Sequence, residues 1–316
     1  MENSEKEIIK TYASDLLKKQ ITYLENQIEG LLYEENIEFL HHTRVMSRRI
    51  RNTISVFSQF FGKKNSKRWF SSMKKLTKSL TRVRDLDVQI QLLEKEISES
   101  KNQKTTPGLQ RLLLRKQQKR EKNQDLVHTA ILDFEKLKTL EEIHQFIKAN
   151  PLDEETFSPP ESLIRLGKIE VDKLTKICFS YVPFITNPEH KESLHNLRIA
   201  IKNIRYTSEL FQPILPDLES FITSFKNFQD DLGEIHDCDV WILDLDEFME
   251  KEKKRIQNFY GQIGPFNFIK PGILSLQEKL QNRKIEVHNQ FLTKWNEEYQ
   301  NQFWSNLQFV FESKTN

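Results

Sequence analysis

The feature that most constrains this chain is that it repeats itself. Set against one another at an offset of 154, residues 40–57 and 194–211 agree at seven of eighteen positions: Leu40/Leu194, His41/His195, Arg44/Arg198, Ile50/Ile204, Arg51/Arg205, Thr53/Thr207 and Phe57/Phe211. Arg48 faces Lys202, and Val45 faces Ile199. Two residues are lost in the next turn, and the match resumes at an offset of 152 with Lys74/Lys226, Leu80/Leu232, Asp85/Asp237, Asp87/Asp239 and Val88/Val240. Self-similarity at a fixed offset marks a structural unit used more than once. The expected organisation is one domain over residues 1–316, made of two repeats, about 1–150 and 160–316. They are related by a pseudo-twofold axis, with a site formed jointly where they meet.

The repeated unit reads as helical. Apolar residues recur at helical spacing along most of the chain, and the 8 Gly and 10 Pro among 316 residues are too few for the turns of a β sandwich or barrel. Neither a G-x-G-x-x-G nor a P-loop sequence occurs. The pattern predicts an all-α protein, with helices over residues 66–82 and 85–100, 108–136, 218–233 and 237–258 among others. Asn150-Pro151 and Pro159-Pro160 supply a natural midpoint. Two cysteines, Cys178 and Cys238, give neither a disulfide framework nor a metal-binding pair. The amino-terminal stretch has no apolar signal core, and no apolar run reaches the ~20 residues of a membrane span. A cytoplasmic location without a membrane partner is the expectation.

The shared residues carry the chemistry. His41, Arg44, Arg48 and Arg51 fall on one helix face, in a row about 15 Å long at 1.5 Å per residue. Met46, Ile50, Thr53 and Phe57 take the opposite face. His195, Arg198, Lys202 and Arg205 repeat the row. Crowded like charges destabilise a helix unless an anion meets them, and a merely solvated face has no reason to keep this register while Arg49/Asn203 diverges. Asp85, Asp87, Asp237 and Asp239 also recur; they stand where helices are expected to begin, as N-caps, or orient a row arginine. Arginine presents a planar fork of donors suited to phosphate oxygens, and a row of them suits an extended polyanion. Histidine adds a donor that strengthens on protonation, so binding should tighten below pH ~6.5.

The net charge of +2 conceals strong segregation: residues 41–84 hold thirteen Lys/Arg and no acid, whereas residues 217–252 hold twelve Asp/Glu against Lys226 and Lys251. Such blocks make local fields that the net charge hides.

The paired segments LHHTRVMSRRIR and LHNLRIAIKNIRYTSELF, each followed by a helix ending RVRDLDV or EIHDCDV, resemble the CHAD family, the conserved histidine α-helical domain. The resemblance implies two pseudo-symmetric helical bundles around a basic central channel that binds inorganic polyphosphate. It implies a stand-alone member, without a fused triphosphatase domain of the CYTH type, that partners polyphosphate granules or polyphosphate-metabolising enzymes. His41, Arg44, Arg48, Arg51 and Lys74 would line the channel with His195, Arg198, Lys202, Arg205 and Lys226. Lys78, Arg82, Arg84, Lys119, Arg120, Tyr206, Arg283 and Lys284 are further candidates. The second repeat departs from the first: Asp230 stands at the place of Lys78, Glu234 at that of Arg82, and His236 at that of Arg84.

Other readings compete. Nucleic acid also offers phosphates, and Trp69, Phe70 and Tyr206 would serve to stack bases. Glu38-x-x-His41 and Glu192-x-x-His195 have the spacing of di-metal carboxylate bundles, although Arg44 and Arg198 one turn on would repel a divalent ion. A phosphorelay histidine lacks the small neighbour it needs, since Val45 and Ile199 follow the arginines. Glu250-Lys251-Glu252-Lys253-Lys254 matches the E-x-E-x-K signature of CYTH triphosphatases, but in a helical setting rather than on a strand. With no nucleophile–base pair evident, the expectation is a binding module that is not an enzyme and has no cofactor.

Overall fold

The computed structural model describes residues 3–33, 37–100 and 102–314. Among these there is no strand. The helices are α1 (Asn3–Tyr33), α2 (Ile37–Val56), α3 (Ser58–Phe61), α4 (Lys63–Glu99), α5 (Thr106–Glu121), α6 (Asp125–Glu135), α7 (Thr139–Ala149), α8 (Glu161–Phe179), α9 (Lys191–Phe211), α10 (Leu218–Tyr260), α11 (Lys270–Gln300) and α12 (Phe303–Glu312). Helix packing runs α1 on α2, α2 on α4 and α4 on α5, and then in the same order α8 on α9, α9 on α10 and α10 on α11.

Residues matched in the sequence stand against each other where the halves meet. The rings of Phe57 and Phe211 lie 6.0 Å apart. Helices α5 and α11 cross so closely that a Cβ on Gly108 would lie 2.1 Å from the Ile269 carbonyl oxygen, and one on Gly272 2.0 Å from that of Thr105. Only glycine allows this approach. Lys138 and Gln302, the residues from which α7 and α12 start, both have positive φ, +53° and +57°. Each of these two pairs is 164 residues apart. The twelve residues by which this offset exceeds 152 fall between Asp239 and Gly272, where α10 is longer than α4 (43 residues against 37).

Two apolar cores result. The larger gathers residues such as Phe57, Trp69, Phe211, Phe225 and Phe291 from both halves. The smaller lies where α4, α5, α10 and α11 cross, around Leu93, Leu112, Trp241 and Ile273. Between them runs a polar belt. Its aspartates correct the sequence reading: α4 and α10 pass unbroken through residues 85–87 and 237–239, so none of the four is an N-cap. Local preference favoured a helix start there, but cations from neighbouring helices hold the buried Asp87 and Asp239, and the exposed Asp85 and Asp237 reach solvent. Conversely, the helix expected over 108–136 breaks at residues 122–124, where the Asn123 side-chain amide turns back to donate to the Lys119 carbonyl.

Candidate anion-binding site

Helices α2 and α9 bury their apolar faces, through Leu40, Ile50 and Ile54 and through Leu197, Ile201 and Ile204. This sets the two basic rows facing one another at half-buried depth. The rows act on each other. Burial drives the Lys202 amine down from its ordinary range to about 7, and Arg48, Arg198, Arg51 and Arg205 push in the same direction. Arg44 is lowered to about 10 by burial and Arg48, only partly relieved by Asp85. Arg51 and Arg198 are lowered chiefly by burial, and Arg48 contributes to both. Cations of both halves therefore share one low-dielectric space.

Their donors are incompletely met. Arg44 reaches Thr81 Oγ1 at 3.4 Å and Asp85 at 3.8 Å, Arg51 lies over the Phe70 ring at 5.7 Å, and Arg205 stands 3.7 Å from Glu209 and 5.0 Å from the Tyr206 ring. Yet the buried Nε atoms of Arg44, Arg51, Arg198 and Arg205 make no hydrogen bond to protein. Among the described residues Arg48, Arg51, Arg198 and Lys202 form no ion pair with a carboxylate. Buried polar groups are normally satisfied, and a buried cation without a partner is costly.

The belt aspartates stand beside the rows. Asp85 pairs with Arg44, whereas Asp237 favours the charged Arg198 electrostatically without forming an ion pair. Burial raises Asp237, with Asp85 of the other half adding to the rise. Arg120 holds Asp87 at 2.6 Å, and Lys284 holds Asp239 at 3.0 Å and Glu189 at 2.8 Å. Arg120 and Lys284 are thereby committed to brace the belt. Arg84 sits 3.8 Å from Glu38.

Both row histidines are held below their ordinary range. Burial is the first cause, followed by Arg84 for His41 and by Arg198 for His195. The expected tightening on protonation is thus displaced to more acidic pH. His195 Nδ1 lies 3.2 Å from His236 Nδ1, and His236 is pushed down to about 4 by burial and by His195.

The remaining candidates scatter. Lys74, Lys78, Arg82, Lys119 and Lys226 are exposed. Arg283 is spent on Glu234 at 2.6 Å. Tyr206 is 4% exposed and covered by Arg49 and Arg205. Trp69 is buried and donates to Glu142 at 3.0 Å. Neither ring is free to stack a base, because both are buried. The di-metal reading gains nothing either: among the described residues no three His, Cys, Asp or Glu side chains gather as a metal site would require. Sequence reasoning missed Arg111, Arg115 and Arg255, which converge on Glu252 only in the fold and carry no local signal.

Residues 15–245 match the family model described as CHAD domain. The chain belongs to the CHAD domain family. The fold agrees: the crystal structure of the CHAD domain from the plant Ricinus communis superimposes with a TM-score of 0.60 at 19% identity, over 88% of this chain and 91% of that one. No curated protein sequence matches significantly. Among the described residues no helix is long and apolar enough to cross a membrane. The CHAD match covers both rows and the belt and ends within α10, short of Glu252.

Proposed function

We propose that this CHAD domain binds inorganic polyphosphate, or a linear polyanion of the same chemistry, in the space between α2 and α9, without chemical change to the ligand. The observation that carries the reading is the set of buried arginine Nε donors without protein partners, in rows that depress one another's proton affinity. Electrostatic crowding of this kind is unfavourable in the free protein and is relieved when a bound anion neutralises the rows. The fit to polyphosphate is geometric as well, since charges repeat along two helices rather than converging on one point. The match of Phe57 to Phe211 and of Gly108 to Gly272 across the middle supports a tandem duplication with one joint site. Partnership with polyphosphate granules or polyphosphate-metabolising enzymes is part of this proposal, as is a cytoplasmic setting.

The test is calorimetry at about 150 mM salt, where surface electrostatics are largely screened. Long-chain polyphosphate is titrated, with duplex and single-stranded DNA of equal charge as competitors. Selective binding of polyphosphate is expected. Equal binding of all three ligands overturns the reading in favour of a diffuse cationic surface, and no binding overturns it outright.

A further inference from the structure

The group left unexplained by the central site is Glu252. Its side chain is fully buried, and Arg111, Arg115 at 3.2 Å and Arg255 at 2.9 Å converge on it. Burial pushes its carboxyl up, but hydrogen bonds from Arg115, Arg255 and Arg111 outweigh this and hold it below its ordinary range. One carboxylate against three guanidinium groups leaves an excess of two positive charges. The guanidinium side chains are 27–51% exposed. A buried acid that holds the guanidinium groups in place, with net positive charge facing outward, makes a floor for an external anion.

This cluster is not isolated. It opens into a hollow of about 580 Å³, lined also by Tyr260. Arg115 and Arg255 are shared with a second hollow of about 450 Å³ between α5 and α10, which adds Lys119, Lys122 and Lys251. The acids there, Asp244 and Glu247, are already paired with Lys116 and Lys251. Lys119 and Asp244 continue into a third hollow of about 400 Å³, with Lys78 and Arg82. Its wall includes Thr81 and Asp85, the partners of Arg44. Through these shared residues a chain of mainly basic hollows, with Asp85, Asp244 and Glu247 on its walls, leads from the first row to Arg255. The stretch from Asp244 to Arg255 alone spans about 16 Å of helix.

The corresponding face of the second half carries acids instead. Asp230 and Glu234 take the places of Lys78 and Arg82, and Glu286 that of Lys122. Arg283, at the place of Lys119, is bound by Glu234 and, at 3.0 Å, by Glu286.

We propose that a linear polyanion held by the central rows continues along the α5–α10 groove to the Arg111/Arg115/Arg255 cluster, and leaves the domain on that side only. The proposal rests on the polyanion reading of the rows. It is tested by titrating tripolyphosphate and long-chain polyphosphate into four proteins. These are the wild type, the groove variant Lys119→Gln/Lys122→Gln/Lys251→Gln, Arg255→Gln, and the row variant Arg44→Ala/Arg198→Ala. The groove variant changes only exposed lysines, and Arg255→Gln leaves two arginines on Glu252, so both should fold; a thermal melt checks this. The groove variant should bind long chains severalfold more weakly, with a salt slope lower by roughly 2–3 at about one unit per lost contact. Arg255→Gln should act in the same direction with a smaller effect. Tripolyphosphate affinity should be unchanged in both. If the row variant abolishes binding of both ligands while the groove variant matches wild type on long chains, the groove proposal is overturned and the central reading stands. If the row variant binds both ligands like wild type, the central reading falls and the continuation with it.

Discussion

The two halves of this domain present the same arginine in different company. Arg44 is braced, by Thr81 at 3.4 Å and Asp85 at 3.8 Å. Its counterpart Arg198 faces Gly233, where Thr81 stands in the first half, and makes no ion pair among the described residues. The surroundings differ as well. Arg44 belongs to a stretch of α2 and α4 with no acid, whereas α10 behind Arg198 is acid-rich. The first row thus stands among uncompensated cations with one arginine braced, whereas the acids of α10 largely offset the charge behind the second row. What the halves keep in common is the row itself and the crossing that brings the rows together, and these are the places where change should cost most.

The largest effect is expected from removing the common element. Arg44→Ala/Arg198→Ala deletes two charged donors at about 1.5–3 kcal/mol each, so polyphosphate Kd should rise roughly 10²–10⁴-fold. Exposed Lys64→Gln/Lys67→Gln is the fitting control. Arg49 is a poor one, because it ties α2 to Glu209 at 3.1 Å and its loss would disturb the helix interface. If the double variant and the lysine control weaken binding equally, as measured by calorimetry, the rows are not the site.

Next comes the crossing. A Cβ on Gly108 or Gly272 would meet a backbone carbonyl at 2.1 or 2.0 Å, and backbone does not swing aside as a side-chain tip does. Gly108→Ala and Gly272→Ala should each destabilise the domain by about 1–3 kcal/mol or more. Urea denaturation should show both losses at similar size, because the two glycines meet in one contact. A loss confined to one of them would break the correspondence of the halves.

How much of this was legible beforehand follows from the same contrast. The rows were readable because helical spacing and a repeat of basic residue types in register survive in a single sequence. The smaller core, the Gly108/Gly272 crossing and the Glu252 cluster were not, because each joins residues from helices distant in the chain and has no local period. Asp85 and Asp237 show the limit in one residue type. Locally an aspartate after Arg84 or His236 favours a helix start, but both side chains are exposed, and water together with the arginine charge of the neighbouring helix accommodates a mid-helix carboxylate. Tyr206 failed the other way: its type suggested a stacking surface, and its neighbours Arg49 and Arg205 bury it.

Lys202 gives the third test, and it separates the halves, since the first has Arg48 at that place. In the free protein its amine sits at about 7, whereas in the unfolded chain it is near 10.4. Between these values the unfolded state binds the extra proton, so this group makes stability rise with pH from about 7 toward 10. Lys202→Met should remove that rise and stabilise the free domain at neutral pH by about 0.5–2 kcal/mol, while weakening polyphosphate binding, the usual trade at a functional site. A bound polyanion favours the protonated amine. At about pH 8 the wild type should therefore take up close to one more proton on binding than Lys202→Met does, read by calorimetry in two buffers of different ionisation enthalpy. Equal uptake would mean that the ligand does not reach Lys202.

The smallest effect concerns Gly233 itself. It lies in the middle of α10, where glycine is about 0.5–1 kcal/mol worse than alanine. A Cβ there would meet Arg198 Nε at 3.5 Å, an ordinary contact. Sterics therefore do not require the glycine, in contrast to Gly108 and Gly272. Gly233→Ala should raise stability by about that amount in a thermal melt and leave affinity near wild type, because a methyl group offers Arg198 nothing to bond. Gly233→Thr instead copies the first half's brace, with a hydroxyl within reach of the Arg198 guanidinium. If Arg198 grips the ligand with donors that Arg44 has partly spent on Thr81 and Asp85, the threonine should cost affinity where the alanine does not. Indistinguishable affinities for the two variants would show that the missing brace on Arg198 has no part in binding.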